Sequence, residues 1–301
     1  MPPSIDRREL ELLFAKCASL IFEFEAFRDS SEGGILRRPI GTGIFIAPCQ
    51  AVTARHSVMD MHRVNQGWAD DLIRDSSRYR MLPYHGSASQ IVDLKNPEQS
   101  ADWAFTNIWV NPVTDIATLQ LAPTDAPAVE MMNRMRPLFP MWSLLPPPVG
   151  AAVVLMGQPR DLPPPGTALS SHLTYTAQPA YVIEVHERRF DRGMYNFPCF
   201  VVDREVPHGM SGGPVFYDNR LCGIISGGLG EQTVIASLWA VLLSEFENPK
   251  LGELNRKVTF EWLFESGQLK ATDWSQVKGR IAYEVEDGKP IPFLKASRNA
   301  S

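Results

Sequence analysis

The sequence predicts an all-β-dominated protein: two six-stranded antiparallel β-barrels, a short N-terminal helix and a small C-terminal α/β extension. Short apolar β-type runs carry this reading. "SLIFEFEAF", "GTGIFIA", "QAVTA", "WAFTNIWV" and "IATLQLA" fall in the first half, and "AAVVLMG", "AYVIEVHE", "CFVVDREV", "GPVFYD", "LCGIISGG" and "TVIASLWAVL" in the second. Between them, residues 122–149 ("APTDAPAVEMMNRMRPLFPMWSLLPPPV") are proline-rich without strand alternation, which reads as a linker. The expected organisation is an arm over 1–16 and a first barrel over 17–145, including a long insertion at 57–100. A second barrel over 146–245 and an extension over 246–301 follow.

Taken in order, "DRRELELLFAK" places Leu10, Leu13 and Phe14 at helical spacing, so residues 6–16 should form a short amphipathic helix. Pro48 and its small neighbours predict a tight hairpin between the next two runs. Residues 57–100 read as an irregular connection with a helix near "WADDLIRDS" and a strand near "YRMLPYHG". "TVIASLWAVLL" reads as a buried strand. In the tail, "VTFEWLFESG" predicts a helix, and "GRIAYEVEDGKPIPF" a hairpin turning at Asp-Gly. No repeat of solenoid period is visible.

Composition narrows the function. The chain has 301 residues, 44% hydrophobic and 21% charged, as a soluble globular protein does. A net charge of −5 without a basic stripe argues against a nucleic-acid partner. No apolar run approaches the ~20 residues needed to span a bilayer, so no membrane partner is expected. Acidic residues and Lys16 interrupt the N-terminus where a signal peptide needs an uncharged stretch. Of the 4 cysteines, Cys17, Cys199 and Cys222 sit in apolar runs and Cys49 in a turn, with no disulfide or metal spacing. A reducing, cytoplasmic setting is the simpler expectation. His62, His85, His172 and His186 form no zinc-like pair, so neither metal nor cofactor is expected.

The stretch "PHGMSGGPVF" (Pro207 to Phe216) holds one serine, Ser211, among glycines. A serine becomes a nucleophile only beside a base, a group that orients the base, and donors for the oxyanion. "VTARHSV" puts His56 just after an apolar strand, and "VTDIATLQL" puts Asp115 at the start of another. Each motif alone is more often a turn, a cap or a structural histidine. Together, in the order His, Asp, Ser, the three motifs carry a resemblance. "TARH" is similar to the Thr-Ala-Ala-His of trypsin-like (chymotrypsin-fold) serine peptidases, "DIATL" to their Asp-Ile-Ala-Leu-Leu, and "GMSGGP" to their Gly-Asp-Ser-Gly-Gly-Pro. Resemblance spans roughly residues 17–245 and is closest in flavour to bacterial HtrA-like and intracellular members. With 56 residues after residue 245, no PDZ domain is expected in this sequence.

The resemblance implies Ser211 as nucleophile, His56 as general base and later acid, and Asp115 as the group that orients His56. It implies an oxyanion hole from the N–H groups of Gly209 and Ser211, and a substrate-pairing strand at Ser226, Gly227 and Gly228. Three positions bear on side-chain specificity. Glu205 stands where the family places the bottom of the S1 pocket, although a solvated glutamate is the slightly favoured reading. Thr233 falls on a pocket wall, and His208 on the rim. Two departures matter. Met210 replaces the aspartate that pairs with a freshly cut N-terminus, which implies activity without zymogen cleavage. Arg55 replaces a small residue before the histidine, either as a solvent-facing neighbour or as a charge biasing the site.

The expected activity is that of a serine endopeptidase acting on protein or peptide substrates through an acyl-enzyme. The competing reading is a protease-fold interaction module, or a latent effector controlled by a partner protein that binds the N- or C-terminal extension.

Overall fold

β7 (Ala152–Gly157) shows how the strand pattern builds the molecule: Val153 and Leu155 enter one buried cluster, Val154 and Met156 another. That alternation is the period-2 geometry of an extended chain. β9 (Cys199–Val202) and β12 (Gln232–Ser237) divide their side chains in the same way. The structure is a computed structural model that describes residues 6–29, 35–64, 86–93, 96–110, 113–135, 137–159, 175–191, 193–243, 245–247, 257–286 and 289–295.

The first barrel comprises β1 (Ile21–Asp29), β2 (Ile35–Ala47), β3 (Gln50–Ala54), β4 (Gly86–Asp93), β5 (Asn96–Val110) and β6 (Ile116–Pro123). Its strand order is β1-β2-β3-β6-β5-β4, closed by antiparallel pairing of Glu23–Ala26 with Gly86–Ser89. Phe45 fills the interior, its ring centroid 5.0 Å from Phe22 and 4.7 Å from Trp103. The second barrel adds β8 (Thr176–His186), β10 (Pro214–Tyr217) and β11 (Arg220–Leu229), in the closed order β10-β11-β12-β9-β8-β7. The two-barrel expectation therefore holds.

Helix α1 (Arg7–Cys17) is capped by Asp6, whose carboxylate accepts the Arg8 N–H at 3.0 Å, and it buries Leu13 and Cys17. The Pro48 hairpin joins β2 to β3, with Cys49 at φ 61°.

Several elements differ from the sequence reading. Within residues 57–100, the described residues belong to helix α2 (Arg55–Val64), β4 and the start of β5 rather than to an irregular connection. "WADDLIRDS" and most of "YRMLPYHG" lie outside the described residues. The linker contains helix α3 (Ala126–Met135), started by Asp125, whose carboxylate accepts the Ala128 N–H at 2.7 Å. Its prolines obscured the pattern, but Pro127 sits in the first turn, where proline is tolerated, and Ala128, Met131 and Met135 form the buried stripe. After β12 the apolar run winds into a 3-10 helix (Leu238–Leu243) rather than extending. Periodicity cannot separate strand from helix in a run that is apolar throughout.

The C-terminal segment is built into the core. β13 (Glu245–Glu247) pairs with β14 (Lys257–Thr259), then come helices α4 (Phe260–Glu265) and α5 (Trp274–Val277). Hairpin β15 (Ile281–Glu286) and β16 (Lys289–Leu294) follows; its Asp-Gly turn lies outside the described residues. Linker residue Trp142 bridges both Leu221 and Ala271, with its ring against Phe260 and Phe264. Asp273, almost fully buried, accepts the Leu144 and Leu145 N–H groups at 2.9 and 2.7 Å. Among the described residues no helix is long and apolar enough to cross a membrane.

Candidate active site

Strand register brings the first two residues together. β3 pairs with β6 through Ala54 and Ile116, so the next positions, Arg55 and Asp115, also meet, and the Arg55 N–H donates to the Asp115 carbonyl at 3.0 Å. α2 begins at Arg55, which lifts His56 off the strand end toward the Asp115 side chain. Oδ1 of Asp115 accepts the His56 backbone N–H at 2.9 Å. Oδ2 lies 2.7 Å from His56 Nδ1 and accepts the Ser226 hydroxyl at 2.5 Å. Asp115 is only 7% exposed, and these donors offset the cost of burying its carboxylate. With Nδ1–H donating to Asp115, the His56 Nε2 lone pair is left free to accept a proton. Burial alone would lower the His56 pKa, but the Asp115 charge and hydrogen bond, with the Asp60 charge, raise it overall.

Ser211 comes from the loop before β10. Its carbonyl accepts the Thr42 N–H at 2.7 Å, and the Gly209 carbonyl accepts the Thr42 hydroxyl at 2.8 Å. Thr42 itself is anchored by Thr53, whose hydroxyl donates to the Thr42 carbonyl at 2.6 Å. The first barrel thereby holds the serine loop of the second. Gly212 has φ +86°, and a Cβ there would lie 2.0 Å from the Thr42 carbonyl oxygen, so only glycine fits. Gly209, at φ +90°, turns the loop ahead of Ser211. Among the described residues, the N–H groups of Gly209 and Ser211 donate to no backbone acceptor. Met210 between them is fully buried in the second barrel's interior beside Val153, Leu155 and Val215.

His56, Asp115 and Ser211 line one cavity of about 760 Å³, together with Ser226, Gly227 and the segment from Gly193 to Phe197. The Ser211 hydroxyl donates to the Ser226 carbonyl at 3.4 Å, and among the described residues no hydrogen bond joins it to His56. Of the other expected substrate contacts, Ser226 and Gly227 line the cavity; Gly228 adjoins them on β11 and accepts the Tyr195 hydroxyl at 2.8 Å. Glu205 and His208 are exposed and do not line it, and Glu205 takes the solvated position. Thr233 is buried, its hydroxyl donating to the Arg204 carbonyl at 2.5 Å, so it contributes no wall to this cavity. Arg55 is half-buried and does line it, with burial lowering its pKa against the pull of Asp115.

Sequence reasoning missed Thr42 and Tyr195. The glycines flanking Thr42 in "GTG" are a local signal of close approach, whereas nothing local marks Tyr195. No group of His, Cys, Asp and Glu that could hold a metal occurs among the described residues.

The model of the trypsin-like peptidase domain matches residues 41–224, more than half of the chain. The chain belongs to the trypsin-like peptidase family. No curated protein sequence matches this trypsin-like peptidase. Among solved structures it is similar to the Rv3671c protease of M. tuberculosis. The active form is 17% identical, with 78% of this chain and 83% of that chain covered and a TM-score of 0.49. The inactive form is 16% identical, with 79% and 93% covered and a TM-score of 0.47.

Proposed function

We propose that this trypsin-like peptidase is a serine endopeptidase in which Ser211 attacks the peptide carbonyl and forms an acyl-enzyme. His56 takes the Ser211 proton through Nε2 and returns it to the leaving amine. Asp115 keeps His56 in the required tautomer and stabilises the imidazolium. Gly209 and Ser211 N–H groups receive the oxyanion, and water activated by His56 then releases the acyl group. The observation that carries the reading is the Asp115 carboxylate, held by the His56 main chain, the His56 ring and Ser226 at once. A protein-binding module has no need of that arrangement facing a cavity that also exposes Ser211.

Burial of Met210 in an apolar cluster supports activity without insertion of a cut N-terminus, because no carboxylate waits there for an ammonium. The exposed Glu205 argues against a side-chain preference set by a buried acid. The test is a peptide-library cleavage profile of the wild type beside Ser211→Ala. The wild type should cut at a defined set of bonds, and the variant should lose about three orders of magnitude or more in rate. Equal cleavage by both proteins would overturn the assignment.

A further inference from the structure

Tyr195 reaches across the cavity to β11. Its hydroxyl donates to the Gly228 carbonyl at 2.8 Å, while the Ser211 hydroxyl donates to the Ser226 carbonyl. A peptide adding itself as a strand along β11 needs such carbonyls as acceptors for its own N–H groups. The protein's own hydroxyls occupy both.

The fit of Tyr195 is specific. A Cβ at Gly227 would lie 3.0 Å from the Tyr195 oxygen, so the bare glycine leaves the space that the ring takes. Phe197 and Phe190 flank the ring edge-on at 6.1 and 6.2 Å. Asp191 fixes the turn beneath it, accepting the Gly193 and Tyr195 N–H groups at 2.6 and 3.1 Å. Burial and the neighbouring Asp115, Asp191 and Cys199 raise the phenol's pKa, which keeps it a donor.

The same segment is tied to the C-terminal hairpin. Arg188 pairs with Glu284 and lies over the Phe293 ring at 4.9 Å, while Arg189 pairs with Glu286. Arg189 also donates to the Asn196 side chain at 3.4 Å, next to Tyr195 in the chain. One arginine therefore touches both the hairpin and the segment that enters the cavity.

We infer that Tyr195 is a specificity-determining gate on the substrate-pairing edge of β11, held in place by the β15–β16 hairpin. The inference rests on the peptidase reading above. Polypeptide long enough to reach Gly228 competes with the tyrosine hydroxyl for that carbonyl and for the space over Gly227; a ligand confined to Ser211 does not. The gate therefore disfavours extended chains until the hairpin lets the segment move.

The test measures turnover of fluorescein-labelled casein, an extended substrate, per active site titrated with a fluorophosphonate. Tyr195→Phe removes one hydrogen bond and should raise that turnover about two- to tenfold. An unchanged or lower value overturns the gate. The double variant E284Q/E286Q should raise turnover in the wild-type background and not in Tyr195→Phe. No rise, or an equal rise in both backgrounds, overturns the hairpin's role. Failure of the fluorophosphonate to label any protein overturns the peptidase reading itself, and the gate with it.

Discussion

At the scale of single residues, opposing effects meet at His56. Burial disfavours the imidazolium, while the Asp115 charge and hydrogen bond, with Asp60, favour it more and lift the pKa above the ordinary 6.5. In the proposed mechanism His56 is the general base and must be neutral, so activity should fall as pH drops through this raised value. The acidic limb of kcat/KM is expected to have its midpoint above 6.5, and Asp115→Asn should move it down while slowing the reaction. A wild-type midpoint at or below 6.5 would contradict the coupling. The sign for stability is the reverse of that for activity. Because the folded pKa is raised, the Asp115 pairing stabilises the fold fully below 6.5, and this contribution is lost as pH rises through the raised value. That His56, Asp115 and Ser211 meet at one cavity was legible in the sequence because each sits in a short motif beside a strand. Tyr195 was not, because its meaning lies in a contact 33 residues away.

At the scale of elements, the strands were legible and the helices less so. Apolar runs such as "QAVTA" and "IATLQLA" became β3 and β6, whose paired ends bring His56 to Asp115. α3 was hidden by its prolines, and the 3-10 helix after β12 by uniform apolarity. Helix α4 was readable as a helix, but its partner was not. It packs Phe264 against Trp142 at 5.5 Å and Trp274 at 5.4 Å, joining the C-terminal segment to the linker between the barrels. Phe264→Ala should therefore cost about 3–5 kcal/mol in chemical denaturation, as for a buried core aromatic. A cost within about 0.5 kcal/mol, typical of surface changes, would show that the helix contributes little to the core.

At the scale of the whole molecule, the site lies at the seam of two barrels, and neither supplies it alone. His56 and Asp115 come from the first barrel, and Ser211 and Ser226 from the second. The Thr42 bonds to the serine loop and the Ser226 bond to Asp115 fix one half against the other. Motif order announced this convergence; the hydrogen bonds across the seam needed the folded chain, because they link residues more than one hundred positions apart, 167 for Thr42 and Gly209. The C-terminal hairpin extends the same logic, reaching the cavity through Arg188, Arg189 and the Tyr195 segment. The central claim, that Ser211 is a nucleophile activated by His56, is tested most directly by covalent capture with a fluorophosphonate, read by intact mass and peptide mapping. Wild-type protein should gain one adduct on Ser211, and His56→Ala and Ser211→Ala should gain none under the same conditions. A folded wild type that stays unlabelled, or a label that persists in Ser211→Ala, would contradict it.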